Sequence, residues 1–419
     1  MKILILGNAT WDDTNSVGNT LSNFFGDWDD LELTFIYNRA SFPDNNCCRR
    51  YYVVSVQDVL KNLFTPWKIG QPFFIDTIKR GSHNTTESKA LNQLTGFKRY
   101  LAKLFIDLLY ATKIWCNRKI KSFIKETNPD VVFLFAISDA FRYNLVKYLK
   151  TNTKAKVIEF VADDMYYQYC NDKSLLNRIY KKRYLKMLRM ADKLYGASEL
   201  LCESYNRDFG LDLTPLYKGC KITIPKQTVN NPLKMIYAGN LQWGRDETLF
   251  QLVNALELIN RNKKLIELSI YSNSYVNEDL RKKLNKCHSA FLHNAIPYEQ
   301  VKKLMSESDI VLHVESFDKE QIKLVRYSFS TKIVDCLQAG AVMMVIGPSG
   351  ISSVEFCRQV PGSIVIDDVL SIEKTLKETL KEPLNLHKQA LLTNEFAKEY
   401  FDIFKVRKNL FNDFEMLIK

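Results

Sequence analysis

The stretch SFSTKIVDCLQAGAVMMVIGPSG, residues 328 to 350, decides how the second half of the chain is read. Ser330 or Thr331 stands where a helix N-cap is expected, Gly340 where the helix should stop, and AVMMVIG reads as a buried strand. A helix running into a short, wholly apolar strand is part of a β-α-β repeat. Lys332 is out of place in that reading. A helix N-terminus already carries partial positive charge, so a lysine in the first turn costs roughly a few tenths of a kcal/mol. An anion bound there would cancel the cost.

Outward from this stretch the same alternation recurs. In the first half the strands read KILILG (2–7), LELTFIY (31–37), DVVFLFA (130–136), KVIEFVA (156–162) and KLYGAS (193–198). A polar join, KITIPKQTVNNP (221–232), follows. Then come KMIYAG, IELSIYS, AFLHNAI, DIVLHVES, AVMMVIG and SIVIDD. Two tandem, doubly wound, Rossmann-like α/β domains are expected, over residues 1–222 and 233–395. Residues 396–419 are expected to cross back to the first domain as part of one long amphipathic helix, NEFAKEYFDIFKVRKNLFNDFEMLIK (394–419). Residues 60–97, rich in Pro, Gly, Asn and Thr, read as an irregular insertion.

At 419 residues, with 46% hydrophobic and 25% charged residues, the chain is globular and long enough for more than one core. No apolar run reaches the roughly 18 residues of a membrane span. The N-terminal apolar stretch is too short for a signal peptide, and nine scattered cysteines without CxxC pairs suit reduced thiols, so a cytoplasmic protein is expected. The net charge of +12 calls for an anionic partner. Basic residues gather in 98–125 and 178–190 among apolar and aromatic ones. That pattern fits a helix lying peripherally on an anionic membrane surface, at the inner face of the membrane, and equally a packed helix with one solvated basic face. No nucleic-acid module is recognisable.

In open α/β sheets ligands bind at the carboxyl ends of the strands. Arg245 in GNLQWGRDE, after the strand ending at Gly239 and Asn240, and Lys332 both fall there. An arginine fork and a lysine point charge together suit a diphosphate, with exposed helix N–H groups around Ser330 and Thr331 assisting. Pairing of Arg245 with Asp246 or Glu247, and simple exposure of Lys332, are the alternatives. Asp335, three residues after Lys332, shares its helix face, where a carboxylate can accept hydrogen bonds from ribose hydroxyls. Gly18, in the loop and helix start after the first strand, is a further candidate phosphate contact. Asp163, in VADDMYY, can orient or deprotonate an acceptor hydroxyl, or cap a helix. The five histidines show no metal-ligand spacing, and HExxH, GxGxxG and GxxxxGK[ST] are absent, so neither metal nor dinucleotide cofactor is implied.

GNLQWGR, HNAIPYEQVKKLMSESDIVLHVES and SFSTKIVDCLQAGAVMMVIGP together resemble the donor-binding domain of retaining glycosyltransferases with the GT-B fold, close to family 4 of the bacterial surface polysaccharide type. The resemblance implies that Arg245 and Lys332 take the diphosphate of a nucleoside diphosphate sugar and Asp335 its ribose. It also implies that Glu315 faces the donor sugar hydroxyls. Asp335 stands where related sequences carry Glu. A glycosyltransferase acting on an acceptor hydroxyl, with a saccharide or lipid-linked saccharide acceptor and no cofactor, is the function implied. A nucleotide-sugar epimerase of the same fold, or a non-catalytic nucleotide-sugar-binding protein, are the rival readings.

Overall fold

Val131–Phe135, Ile310–Val314 and Val342–Ile346 are buried at every position. Strands with no solvated face belong to parallel sheets covered on both sides. The computed structural model, which describes residues 1–419 apart from 29, 40–41, 63–69, 75–94, 169–173 and 287, contains two such sheets. The chain divides into one unit of residues 1–197, 202–216 and 407–419 and a second of residues 198–201 and 217–406. Both units are Rossmann-like.

The first unit holds β1 (Lys2–Leu6), β2 (Glu32–Tyr37), β3 (Arg50–Val53), β4 (Gln71–Phe74), β5 (Val131–Phe135), β6 (Lys156–Val161), β7 (Lys193–Gly196) and β8 (Leu213–Pro215). Their order across the sheet is β4-β3-β2-β1-β5-β6-β7-β8, parallel except for the β3–β4 pair. One face packs Leu4, Leu6, Val132 and Leu134 against Trp115, Ile120, Phe141 and Leu145. Phe24, Phe25, Phe133 and Phe160 meet edge to face elsewhere in this unit.

In the second unit, β9 (Leu233–Ala238), β10 (Ile266–Ser272), β11 (Ala290–Asn294), β12 (Ile310–Val314), β13 (Val342–Ile346) and β14 (Ile364–Ile366) lie in the order β11-β10-β9-β12-β13-β14. All pairs are parallel. The chain winds outward from β9 to β11, returns to β12 and winds the other way. The strand order therefore reverses between β9 and β12, and the carboxyl ends of these two strands flank the crevice such a reversal opens.

Several expectations fail for local physical reasons. The final helix is two, Asn385–Tyr400 and Ile403–Ile418. Between them Phe401 is buried beside Tyr217, Phe356 and Phe396, and its carbonyl accepts from the Cys220 N–H while Cys220 accepts from Ile403. Helical hydrogen bonding cannot run through a residue whose backbone serves another segment. The basic stretch 98–125 is likewise broken, into Gly96–Ala111 and Arg118–Thr127. Lys113 has a φ of 60°, the Trp115 indole is buried and donates to the Tyr110 carbonyl, and Asn117 caps the second helix. The expected insertion at 60–97 falls largely outside the described residues, although Gln71–Phe74 pairs with β3. Thr331 stands at the N-cap position in helical conformation without a side-chain cap bond, and the Ser330 N–H donates to the Ser353 hydroxyl at 3.0 Å. The glycine stop does appear, with Gly340 at φ 69°.

One buried group in the first unit has a testable consequence. Glu159 lies on β6 between Leu134 and Leu194, is wholly buried, and neither carboxylate oxygen finds a hydrogen-bond partner among the described residues. Burial pushes its carboxyl up to about 8, with Arg142 opposing. Unfolded chain gives up this proton near its ordinary value of 4.5 whereas folded chain keeps it to about 8, so folding stability falls as pH rises across that window. Glu159→Gln should raise the thermal midpoint above wild type at pH ~8.5, with the difference shrinking toward pH ~5. A difference independent of pH would refute the assignment.

Candidate functional site

Backbone geometry after β9 prepares the site. The loop to the helix Arg245–Ile259 turns through two successive residues of positive φ, Trp243 at 63° and Gly244 at 72°. Positive φ is costly for a bulky aromatic. Gly244 also allows close approach, since a Cβ there would collide with the Ser316 hydroxyl. The turn delivers Arg245 as the first helical residue, directed at the end of β12.

Arg245 is held from three sides. Its Nε donates to the Val314 carbonyl at 3.1 Å, Nη1 donates to the Asn240 side-chain oxygen at 2.8 Å, and Nη2 donates to Glu315 Oε2 at 2.9 Å. The carboxylate is 2% exposed and also meets His313 Nε2 at 3.0 Å. Burial alone would raise the Glu315 carboxyl, but His313 and Arg245 outweigh it and hold it below the usual range. Tyr237 completes the frame, its hydroxyl donating to the Asn240 carbonyl at 2.6 Å. The partner of Arg245 is thus Glu315, neither of the adjacent acids. Neither Arg245, expected beside Lys332 on a diphosphate, nor Glu315 lines the neighbouring pocket; their pairing with each other holds both behind Asn240.

That pocket, about 380 Å³, opens beside the reversal in strand order and is lined by Gly239, Asn240, Tyr271, Tyr298, Lys332 and Asp335 among others. Its volume is in the range of small-ligand sites. The Lys332 ammonium packs against Gly239, where any Cβ would collide with it, and lies 5.8 Å from the centre of the Tyr237 ring. Burial, then the Arg245 charge, lower the Lys332 ammonium to about 8. Asp335, one turn along, accepts from the Tyr298 hydroxyl at 2.5 Å, and burial holds its carboxyl above the ordinary value. Lys218 is close enough to Asp335 for their charges to interact; burial lowers its ammonium and Asp335 opposes this.

Six of the residues singled out in sequence therefore gather in the second unit: Gly239, Asn240, Arg245, Glu315, Lys332 and Asp335. Ser330 and Thr331 precede Lys332 without lining the pocket, and the helix Lys332–Gln338 has only seven residues. In the first unit, the Gly18 N–H already donates to the Asn15 side chain at 2.8 Å, and a Cβ at Gly18 would strike the Asp12 backbone. Close packing explains that glycine and its amide is engaged. Asp163 is exposed, whereas Asp164 is buried and accepts from the amides of Tyr166, Tyr167 and Gln168 and from the Tyr205 hydroxyl. Among the described residues no cluster of His, Cys, Asp and Glu is placed to hold a metal. Tyr298 and Lys218 escaped the sequence reading. Tyr298 lies within HNAIPYEQ, one of the stretches that carry the resemblance, and Lys218 in a segment without a motif; only the fold brings them to Asp335.

The Arg245–Glu315 pair is 11% and 3% exposed, so deleting either partner strands a buried charge. Arg245→Ala and Glu315→Ala should each destabilise by about 3 kcal/mol, with the double variant losing well under the sum. Additive losses in a denaturation cycle would show that the pair is not coupled.

No family model matches this sequence, and no curated protein matches it. Among solved structures, HepE from Anabaena in complex with UDP aligns with a TM-score of 0.63 at 11% identity, covering 99% of this chain and 100% of that one. A glycosyltransferase from Rickettsia africae aligns with a TM-score of 0.62 at 12% identity, covering 100% and 98%. A trehalose-6-phosphate structure from E. coli bound with UDP-2-fluoro glucose gives 0.59 at 11% identity, covering 98% of each chain. Identities this low speak to fold alone. The chain folds as two mixed α/β, Rossmann-like domains consistent with the GT-B architecture.

Proposed function

We propose that this chain is a glycosyltransferase that moves a sugar from a nucleoside diphosphate sugar to an acceptor hydroxyl, with retention at the anomeric carbon, in polysaccharide or glycolipid synthesis. One observation carries the reading: the Lys332 ammonium and the Asp335 carboxylate share the wall of a single pocket at the carboxyl ends of parallel strands, beside the point where strand order reverses. Cation and carboxylate side by side match the two ends of a ribose diphosphate. Relatives in fold support it, since HepE was solved with UDP and glucose and the E. coli structure with UDP-2-fluoro glucose.

In this reading the diphosphate lies against Lys332. Arg245, which does not line the pocket, contributes its field from behind Asn240. Asp335, oriented by Tyr298, accepts from the ribose. As the bond from the anomeric carbon to the diphosphate breaks, the electron pair leaves with the phosphate, and cations fixed in a poorly solvated wall stabilise that growing charge without having to reorganise. The acceptor oxygen bonds to the anomeric carbon on the face the diphosphate leaves, and its proton passes to the departing phosphate oxygen. Asp163 of the first unit is the carboxylate assigned to the acceptor. Glu315 takes a different part from the sugar contact inferred by resemblance: buried under Arg245, it fixes the guanidinium.

A protonated Lys332 is needed to hold the diphosphate, so affinity should be full below about 8, where its ammonium titrates, and decline above it. Between pH ~7 and ~9.5, UDP or GDP binding by calorimetry should weaken roughly tenfold. Lys332→Ala should bind more weakly by roughly tenfold or more and show a flat profile. Tyr298→Phe should narrow the preference for a ribo- over a 2′-deoxyribonucleoside diphosphate. Failure of every nucleoside diphosphate to raise the thermal midpoint of the wild type would end the donor reading. Turnover of donor without any acceptor, giving an isomerised sugar nucleotide, would replace it with an epimerase.

A further inference from the structure

One polar side chain in the core of the second unit has no part in the reading above. His313 lies on β12, where every residue is buried, and is itself 2% exposed. Val345 stands beside it on β13 and Val311 two residues before it, and both belong to an apolar core. Burying an imidazole costs stability unless its nitrogens are used, so a histidine kept in such a layer needs a partner.

That partner is Glu315. Its carboxyl, held below the usual range against the pull of burial, is ionised, and a carboxylate only accepts, so His313 Nε2 carries the hydrogen of their 3.0 Å contact. Little else in Glu315 is free to turn. Its N–H donates to the Ile346 carbonyl at 2.8 Å, its carbonyl accepts from the Thr248 hydroxyl at 2.9 Å, and its Cβ lies where any Cβ added to Gly347 would stand 2.9 Å away. The plane of the carboxylate remains, since the last torsion of a glutamate is broad. Arg245 Nε and Nη2 donate to Oε2 at 3.2 and 2.9 Å, and Nη2 also reaches Oε1 at 3.2 Å. By holding Oε1, His313 fixes how that plane meets the guanidinium.

One further link reaches the pocket. Arginine has only donors, so the Asn240 side-chain atom 2.8 Å from Arg245 Nη1 is its oxygen. The amide is thereby oriented: both Nδ2 hydrogens are left over, neither has a partner among the described residues, and Asn240 lines the pocket. A ligand there meets a neutral donor whose direction is decided by three buried groups. We propose that His313 is a positioning residue for the donor site: it locks the Glu315 carboxylate, through it the Arg245 guanidinium, and so the Asn240 amide at the pocket wall. The identity of the ligand rests on the donor reading; the relay itself does not.

Two measurements on the full chain test this. Hydrogen exchange of the Arg245 Nε–H, followed by side-chain NMR and assigned by its loss in Arg245→Lys, reads the relay without ligand. Calorimetry with UDP and with GDP reads the pocket. His313→Leu removes the donor while keeping bulk, and His313→Gln offers an amide hydrogen in its place. His313→Leu should speed exchange at Arg245 at least tenfold and weaken nucleoside diphosphate binding roughly tenfold, whereas His313→Gln should lie within about threefold of wild type in both. In a Glu315→Gln background His313→Leu should change affinity by less than about twofold, since the link it acts through is already cut. Equal losses in the Leu and Gln variants, an Arg245 exchange rate that ignores His313→Leu, or the same loss of affinity in both backgrounds would overturn the proposal. Should His313→Leu fail to fold, His313→Met is read in the same way. A wild type that binds neither nucleotide but shows the expected exchange pattern would end the donor reading while bearing out the relay.

Discussion

A single buried guanidinium organises the second unit. Arg245 is placed under the ends of two strands where the sheet's winding reverses, and every neighbouring group is disposed to satisfy it: the Val314 carbonyl, the Asn240 amide oxygen and the Glu315 carboxylate. An unpaired cation at such depth costs several kcal/mol, so the loop after β9 and the end of β12 cannot separate without exposing that cost. Rigidity of the site follows from it. Asn240 lines the pocket with one side and holds Arg245 with the other, so the pocket wall is fixed by a charge lying behind it.

The two cations are consequently unlike. Arg245 is neutralised in place by a resident carboxylate that His313 also contacts, whereas the half-buried Lys332 forms no salt bridge among the described residues, and burial lowers its ammonium although Glu315 and Asp335 oppose this. Arg245 repels it further. A ligand that brings negative charge restores what burial has taken from Lys332, while Arg245 has little to gain. Of the two, Lys332 is where ligand charge changes the energy most.

Much of this was legible in the sequence, for definite reasons. Wholly apolar strands between amphipathic helices can only be parallel and covered, which gave both Rossmann-like layouts, and the ends of such strands are where basic residues carry meaning. Lys332 was conspicuous because it opposes the local helix field. What escaped were effects of tertiary pairing. The chain break at Phe401 depends on a backbone exchange with Cys220, some 180 residues away in the chain, and no helical periodicity encodes it. Tyr298 reaches Asp335 only because their helices are neighbours in the folded sheet. Spacing alone does not say whether the Glu315 carboxylate points outward or, as here, pairs under Arg245. Whether the basic stretches present a membrane face or one solvated basic face depends on packing, which composition does not encode.

The contact between Gly239 and Lys332 has an evolutionary corollary. A methyl group at position 239 would meet the Lys332 ammonium, the movable end of a long side chain, and also the Tyr237 hydroxyl, so alanine there would displace the charge from its present place. A descendant that acquires alanine there must reroute the lysine, and one that has lost the lysine still has the Tyr237 hydroxyl against that position. Covariation of positions 237, 239 and 332 among homologous sequences would therefore record where the pocket has kept its charge and where it has been retired.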